Sequence, residues 1–423
     1  MKISWPAVVA RRMQRHHLHA GTAGAGGGAG SPGAGADAGS PGAGGGARSP
    51  NSGGRAGSPG PGPGAGSPGP ADVVRAMSGA HAQMLSAAEI SVALRLEKAT
   101  RADVQRALWE ERSLVKTFGP RGTVHLLPTD DLPLWTGALS ALPRSGGVAT
   151  PEMRMTPEQT AAVIEAVGGA LSEDDLTVDE LTDEVVARVG SWAGDLVMPA
   201  FQVYWPRWRQ VIPAAATAGV LCYGPNRGRK TTYTNPHRFT PPFQPEDGER
   251  ALPELLRRYL HAYGPATPQQ FAKWLSTSPA FIAKLFQQDG LQEVQLDGQP
   301  AWLVEGDTDF PDKPARGVRL LPYFDAYAVG SHPRELVFPG EASTRALAGG
   351  QAGNYPVLLV DGVVAGVWHQ RLSGRKLDIT VESLRPLKPA QLRALDNEVE
   401  RLAEIVNARP TLSLDKVTVG AHA

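Results

Sequence analysis

The sequence predicts an α+β protein: three tandem winged helix-turn-helix modules followed by a C-terminal β-rich domain with a closing helix. Two observations carry this prediction. After residue 70 one order of signals (helix, capped helix, helix, two-stranded hairpin) occurs three times, and after about residue 310 it gives way to strand patterns and one long amphipathic helix. At 423 residues the chain exceeds one ordinary core, so several modules are expected. The boundaries read from the pattern are 1–18, an N-terminal helix packing on the first module; 19–70, an insertion; 71–150, 151–245 and 246–310, the modules; and 311–423, the C-terminal domain.

"SWPAVVARRMQRHHL" places Pro6 in a first helical turn and apolar residues at 5, 8, 9 and 13, the mark of a docked helix. From His19 to about Pro70 the chain is nearly all Gly, Ala, Ser and Pro, with "GSPG" recurring at Gly30, Gly39, Gly57 and Gly66. Such a composition buries too little apolar surface to offset its ordering entropy. The stretch reads as a flexible, disordered insertion in a loop between two packed helices, which loop-closure entropy tolerates. Deleting residues 21–68 over a short linker is therefore expected to leave activity intact; a variant that fails to fold would make the segment structural.

In the first module "SAAEISVALRLE" reads as a helix, and "TRADVQRALWEER" follows with Thr100 as N-cap and Asp103 at the capping-box position. "LVKTFGPRGTVHLL" gives two strands around Gly119-Pro120-Arg121-Gly122. In the second, Thr156 opens "TPEQTAAVIEAVGGAL", Thr177 and Glu180 box "LTVDELTDEVVARV", and "RWRQVIPAAATAG" leads to the hairpin "VLCYGPNRGRKTTYTN". In the third, "ALPELLRRYLHAYG" precedes helices capped by Thr267 and Ser278 and a hairpin turning at Asp297-Gly298. The C-terminal domain pairs strands about Asp361-Gly362, adds the strand "RKLDITVESL", and ends in a helix with apolar residues at 392, 395, 399, 402 and 405.

Charge adds limits. Lys and Arg number 42 against 42 Asp and Glu, so no global field draws the chain to nucleic acid and any DNA binding rests on local clusters. The one cysteine, Cys222, excludes an internal disulfide framework and a Cys-rich metal site, and it fits a reducing cytoplasm. No apolar run approaches the ~20 residues of a membrane span. Arg11 and Arg12 interrupt the N-terminus before any signal-peptide core forms.

The stretch "GAHAQM" sets His81 and Gln83 two residues apart after the apolar helix "ADVVRAM". A helix would point them about 200° apart, whereas an extended chain would aim both into one cleft. The plainer alternative is that they cap the carbonyls of the preceding helix.

Five blocks, "GAHAQMLSAAEISVALRL", "LVKTFGPRGTVHLLP", "LLRRYLHAYGPATPQQFAKW", "LLPYFDAYAVG" and "VLLVDGVVAGVWH", together resemble the winged-helix DNA-binding family that includes the AlkZ and AlkX (YcaQ) DNA glycosylases. The resemblance spans roughly residues 71–385 and the first helix. It implies a concave, DNA-shaped surface and excision of alkylated purines, in some members bulky adducts and interstrand crosslinks, by cutting the N-glycosidic bond. The family's catalytic motif, two polar residues around an aliphatic one, falls on His81-Ala82-Gln83, a His-Φ-Gln departure from the Gln-first pattern. The resemblance further implies a monofunctional enzyme with no cofactor and no metal. It would be a monomer in the cytoplasm, associated with the nucleoid, acting on duplex DNA that carries alkylated bases.

A purine alkylated at N7 or N3 already carries positive charge and leaves readily, so the enzyme's task is to hold a water in line with C1′ and stabilise oxocarbenium character. Gln83 has the acceptor and donors to orient that water, and His81, with an ordinary pKa of ~6.5, can accept its proton. No Lys beside the motif offers a Schiff base. For DNA contact, Lys116, Arg121, Thr123 and His125 lie on the first wing, the alternative being a solvated hairpin with Thr123 and His125 turned inward. Arg227, Arg229 and Lys230 crowd a hairpin tip, which is either the β-hairpin that the family places in its DNA cleft or a soluble turn. Trp205 and Trp208 read as core with Arg207 and Arg209 on the surface, and Asp325 reads as a local backbone acceptor more than a catalytic acid. Two rival functions remain open. One is a non-catalytic winged-helix regulator or lesion sensor; the other is a protein scaffold without salt-dependent DNA affinity.

Overall fold

The computed structural model describes residues 1–19, 67–143, 150–200 and 203–421; most of the Gly/Ala/Ser/Pro insertion, with the expectation of a flexible tether, lies outside them. The first unit has helices Pro70–Ala76, Leu85–Ala93 and Arg101–Trp109, with a sheet in the order Ala80–His81, Val124–Pro128, Leu114–Phe118. Its third helix starts as the sequence predicts: the Asp103 carboxylate accepts the Thr100 N–H at 2.8 Å and its hydroxyl at 2.7 Å. The second unit has helices Pro157–Ala170, Val178–Val189 and Ile212–Thr217 and a sheet in the order Leu176–Thr177, Thr232–Thr234, Cys222–Tyr223. It also carries a hairpin that the sequence reading does not contain, Leu196–Ala200 with Val203–Pro206, whose Leu196, Val203 and Tyr204 are 65, 60 and 59% exposed. The third unit consists of helices Gly248–Tyr263, Pro268–Leu275 and Pro279–Ala283 and the hairpin Leu291–Leu296 with Gln299–Val304. Asp297 and Gly298 turn that hairpin at φ +45° and +84°, the left-handed backbone for which an Asp-Gly pair is suited.

The N-terminal segment docks elsewhere than expected. Lys2–Ile3 pairs in parallel with Leu291–Leu296 and completes the third unit's sheet. In the helix Trp5–Arg15, Val8 packs with Val294, Leu296 and Leu303, while Val9 and Met13 pack with Leu321, Tyr327 and Val357. The helix therefore bridges the third unit and the C-terminal domain, in place of the first module. Its arginines explain why: buried Arg12 donates to the carbonyls of His332 (2.6 Å) and Pro265 (3.2 Å), and Arg11 pairs with Asp307 at 2.5 Å.

The C-terminal domain is a five-stranded sheet in the order Val318–Leu321, Val357–Val360, Val363–Ser373, Lys376–Ser383, Arg409–Leu414. The last strand, absent from the sequence reading, runs parallel to its neighbour after the closing helix Pro389–Val406. That helix covers one face through Leu395, Val399, Leu402 and Ile405. The same core takes in Val73, Ile90 and Val104 of the first unit. The first unit and the C-terminal domain are thus fused through one apolar core, and the cavity they bound is fixed by it.

Candidate active site

The geometry of "GAHAQM" follows from how its helix stops. The Gly79 N–H donates to the Val74 carbonyl at 2.9 Å, and Ser78 and Gly79 take φ of +55° and +98°. The chain leaves extended: His81 stands opposite His125 in the sheet, and the Ala82 N–H donates to the Val124 carbonyl at 2.7 Å. Successive side chains of an extended chain alternate. Ala82 accordingly enters the core while His81 and Gln83 both line a cavity of about 540 Å³. Neither side chain hydrogen-bonds the end of the preceding helix among the described residues, so the capping alternative is not what this segment does.

His81 is 8% exposed and held by rings. Phe324 stacks on it with centroids 4.6 Å apart and planes at 28°, and His125 meets it edge-on at 5.1 Å. Its Nδ1 is buried without a hydrogen-bond partner among the described residues. Burial, reinforced by the Arg121 charge, pushes its pKa down to about 4, so the imidazole is neutral near pH 7. His125 is also buried, with Nδ1 2.9 Å from the Thr123 carbonyl oxygen, and burial followed by His81 and Arg121 holds its pKa well below the usual value. Gly119 is required beside it, since a Cβ there would stand 2.8 Å from the ring. Burial likewise lowers His16 and His332 to about 3.

These depressed histidines have one consequence for stability. An unfolded chain takes up their protons below about pH 6.5, whereas the folded chain does so only near 4 for His81 and near 3 for His16 and His332, with His125 also held well below the ordinary value. Acid therefore favours unfolding across that window. The melting temperature is expected to fall steadily from pH 7 to pH 5, and a flat profile over that range would refute the assignment.

The residues expected to touch DNA are distributed differently from their sequence reading. Arg121 donates to the Trp274 carbonyl of the third unit at 3.2 Å and lines the cavity together with Thr123, whose hydroxyl donates to the Pro120 carbonyl at 3.0 Å. His125 is turned inward and buried under His81, whereas Thr123 stays half-buried at the cavity, so only half of the inward-turned alternative is realised. Lys116 is half-buried, with Nζ 4.5 Å from the centre of the Tyr223 ring in the second unit, so its charge sits in a joint between units and not on an open wing. At the second hairpin Arg227 pairs with Glu180 at 2.7 Å and Lys230 with Asp179 at 3.0 Å, whereas exposed Arg229 has no ion pair among the described residues. Trp208 is core, as expected, but Trp205 lies in the unanticipated hairpin under the Arg209 guanidinium, 3.9 Å from its ring centre.

The opposite wall of the cavity comes from the C-terminal domain: Phe324, Val329, Gln351 and Asn354. The sequence offers no spacing that would find them, because only the packing of two distant segments brings them to His81. Reciprocal backbone bonds of 3.0 and 3.1 Å between Ala348 and Gln351 fix the loop that carries Gln351. Asp325 does not line the cavity; it is fully buried, accepting from Arg95 Nη1 and Nη2 at 2.9 Å each, from the Ser91 hydroxyl at 2.6 Å and from the Tyr327 N–H at 2.9 Å. Among the described residues no cluster of His, Cys, Asp and Glu is arranged to hold a metal ion, and no helix is long and apolar enough to cross a membrane.

Helical units and a C-terminal sheet thus close on the cavity that His81 and Gln83 line, and the class of protein this arrangement belongs to follows from its relatives. The structure matches that of Streptomyces sahachiroi DNA glycosylase AlkZ with a TM-score of 0.74 at 28% identity, covering 98% of this chain and 100% of that one. The chain belongs to the AlkZ-like DNA glycosylase family, whose sequence model matches residues 74–405. It is 36% identical over 315 residues to a protein of the same organism named interstrand DNA cross-link repair glycosylase, a match covering 70% of this chain and 81% of the relative.

Proposed function

We propose that this glycosylase is monofunctional and hydrolyses the N-glycosidic bond of N7-alkylguanine-type purines in duplex DNA, bulky adducts and interstrand crosslinks included. The observation that carries the reading is the pairing of a neutral His81 with Gln83 on one wall of a cavity of about 540 Å³. That volume lies within the range of sites that enclose drug-sized ligands, so it has room for more than a methylated base. The name of the Streptomyces relative supports the crosslink part.

In the reaction the C1′–N9 bond breaks with its electron pair leaving on the cationic base, which departs neutral. Water held by the Gln83 amide attacks C1′ of the oxocarbenium-like sugar, and its proton passes to the neutral His81 ring, then to solvent. The products are the free alkylated base and an abasic site. Among the described residues no lysine lines the cavity to form a Schiff base, and the reading takes the chemistry as monofunctional. The three helix-and-hairpin units act in this reading as tandem winged helices along a concave face. Arg121 and Thr123 contact the backbone at the lesion, and Arg229, with Arg227 and Lys230 once their ion pairs open, contacts it farther out.

The test uses two duplexes, one carrying a single N7-methylguanine and one a crosslink through two guanine N7 atoms, with abasic sites revealed by alkali. Base release from either, without borohydride-trappable protein–DNA adducts, sustains the proposal. Salt-dependent binding to both without release would make the chain a lesion sensor instead.

A further inference from the structure

Catalytic histidines are ordinarily aimed by a hydrogen bond from their second ring nitrogen to a carboxylate or carbonyl. Among the described residues His81 has none: its Nδ1 is buried and unpartnered. Something else must fix the ring, and the neighbouring element is unusual. Phe324 adopts φ +56°, a left-handed backbone that a bulky side chain rarely takes. The deviation is over-determined by its surroundings. The Phe324 N–H donates to the Gly353 carbonyl at 3.0 Å. The next residue, Asp325, is anchored by Ser91, on the helix of the first unit that follows the motif, and by Arg95, in the turn just after that helix, and it caps the helix Ala326–Gly330. Gly353, itself at φ +102°, clears the space for the ring, because a Cβ there would stand 2.8 Å from Phe324 Cδ1.

We infer that Phe324, forced into its left-handed conformation by the buried Arg95–Asp325–Ser91 anchor, is a positioning residue that orients His81 and shields one face of its ring from water. The stack replaces the absent hydrogen bond, and it leaves the rest of the His81 ring to line the cavity. Leucine or alanine at 324 would let the imidazole tilt and admit water. The charged groups that bear on His81 are then Arg121 and, when protonated, His125; both are positive, so the return of its titration toward the ordinary range comes from hydration alone. The inference rests on His81 as the reacting side chain, but it can be examined without turnover.

The experiment compares wild type, Phe324→Leu, Phe324→Tyr and Gly353→Val, all full-length. The His81 ring C2–H is followed by NMR from pH 3.5 to 8, beside single-turnover release of N7-methylguanine over the range in which each folds. Phe324→Leu is expected to move the His81 titration up from about 4 toward the ordinary ~6.5, and to slow release by about 10²-fold, as for a small misplacement of a reacting group. Phe324→Tyr should preserve both properties, and Gly353→Val, which crowds the ring from behind, should reproduce the leucine effect. An unmoved His81 titration in Phe324→Leu overturns the inference whatever the rate does. If wild type releases no N7-methylguanine while the NMR titrations behave as described, the methylated-base part of the proposed function fails and the positioning role stands. Should Phe324→Leu not fold, Gly353→Val decides by the same titration.

Discussion

His81→Ala lowers single-turnover base release by about 10²–10⁴-fold, the usual contribution of a positioned acid–base group, while DNA affinity is unchanged. The expectation follows from where the side chain sits. It is 8% exposed at a cavity edge, so it contributes almost nothing to the surface that DNA can cover. Its pH signature is equally definite. The ring must be neutral to take a proton, and burial with Arg121 depresses its pKa to about 4. Wild-type release should therefore be flat from neutral pH down to about 5 and fall off near 4. His81→Gln places a non-titrating polar side chain at the same position and should retain part of the rate while losing that acid limb. The measurement is the log of the single-turnover rate against pH at equal DNA occupancy, corrected for spontaneous depurination. If His81→Ala keeps the wild-type rate, Gln83 alone orients the water and the general-base role of His81 is wrong.

What the sequence disclosed depended on the range of the interaction. The extended "GAHAQM" segment, the Thr-based caps and the Asp-Gly turns are decided within a few residues, and each stands as read. The hairpin Leu196–Pro206 escaped notice because Pro199 and Pro206 interrupt its strand pattern and its apolar side chains face outward, against the usual alternation. The docking of the first helix was misplaced because periodicity reveals an apolar face but not its partner; Arg11 and Arg12, read only as polar interruptions, are what tie it to Asp307, Pro265 and His332. Half of the site was illegible for the same reason. Phe324 and Gln351 lie more than two hundred residues from His81, and a shared core, not a motif, brings them there. Lys116 and His125 show the converse limit: sequence places a basic residue on a hairpin but does not reveal the neighbouring unit or strand that covers it.

Asp325→Ala is expected to destabilise the fold by about 3–5 kcal/mol, the range for removing one partner of a buried ion pair. The carboxylate accepts from both Arg95 terminal nitrogens, from Ser91 and from the Tyr327 N–H, and neither charged side chain of the pair is exposed. Removing it strands a guanidinium in the core and leaves a hydroxyl and an N–H without their acceptor, which costs more than the pair itself contributes. Replacing both charges, Arg95→Met with Asp325→Leu, should recover part of that loss because the buried cation goes too. Recovery should stop short of wild type, since the helix Ala326–Gly330 still lacks its cap. By contrast Asp179→Ala, which opens the exposed pair with Lys230, should leave the melting temperature unchanged. Denaturant titration of the four proteins separates these cases. If Asp325→Ala proves as stable as Asp179→Ala, the anchor is not what holds the C-terminal domain against the first unit, and the apolar core they share must be sufficient by itself.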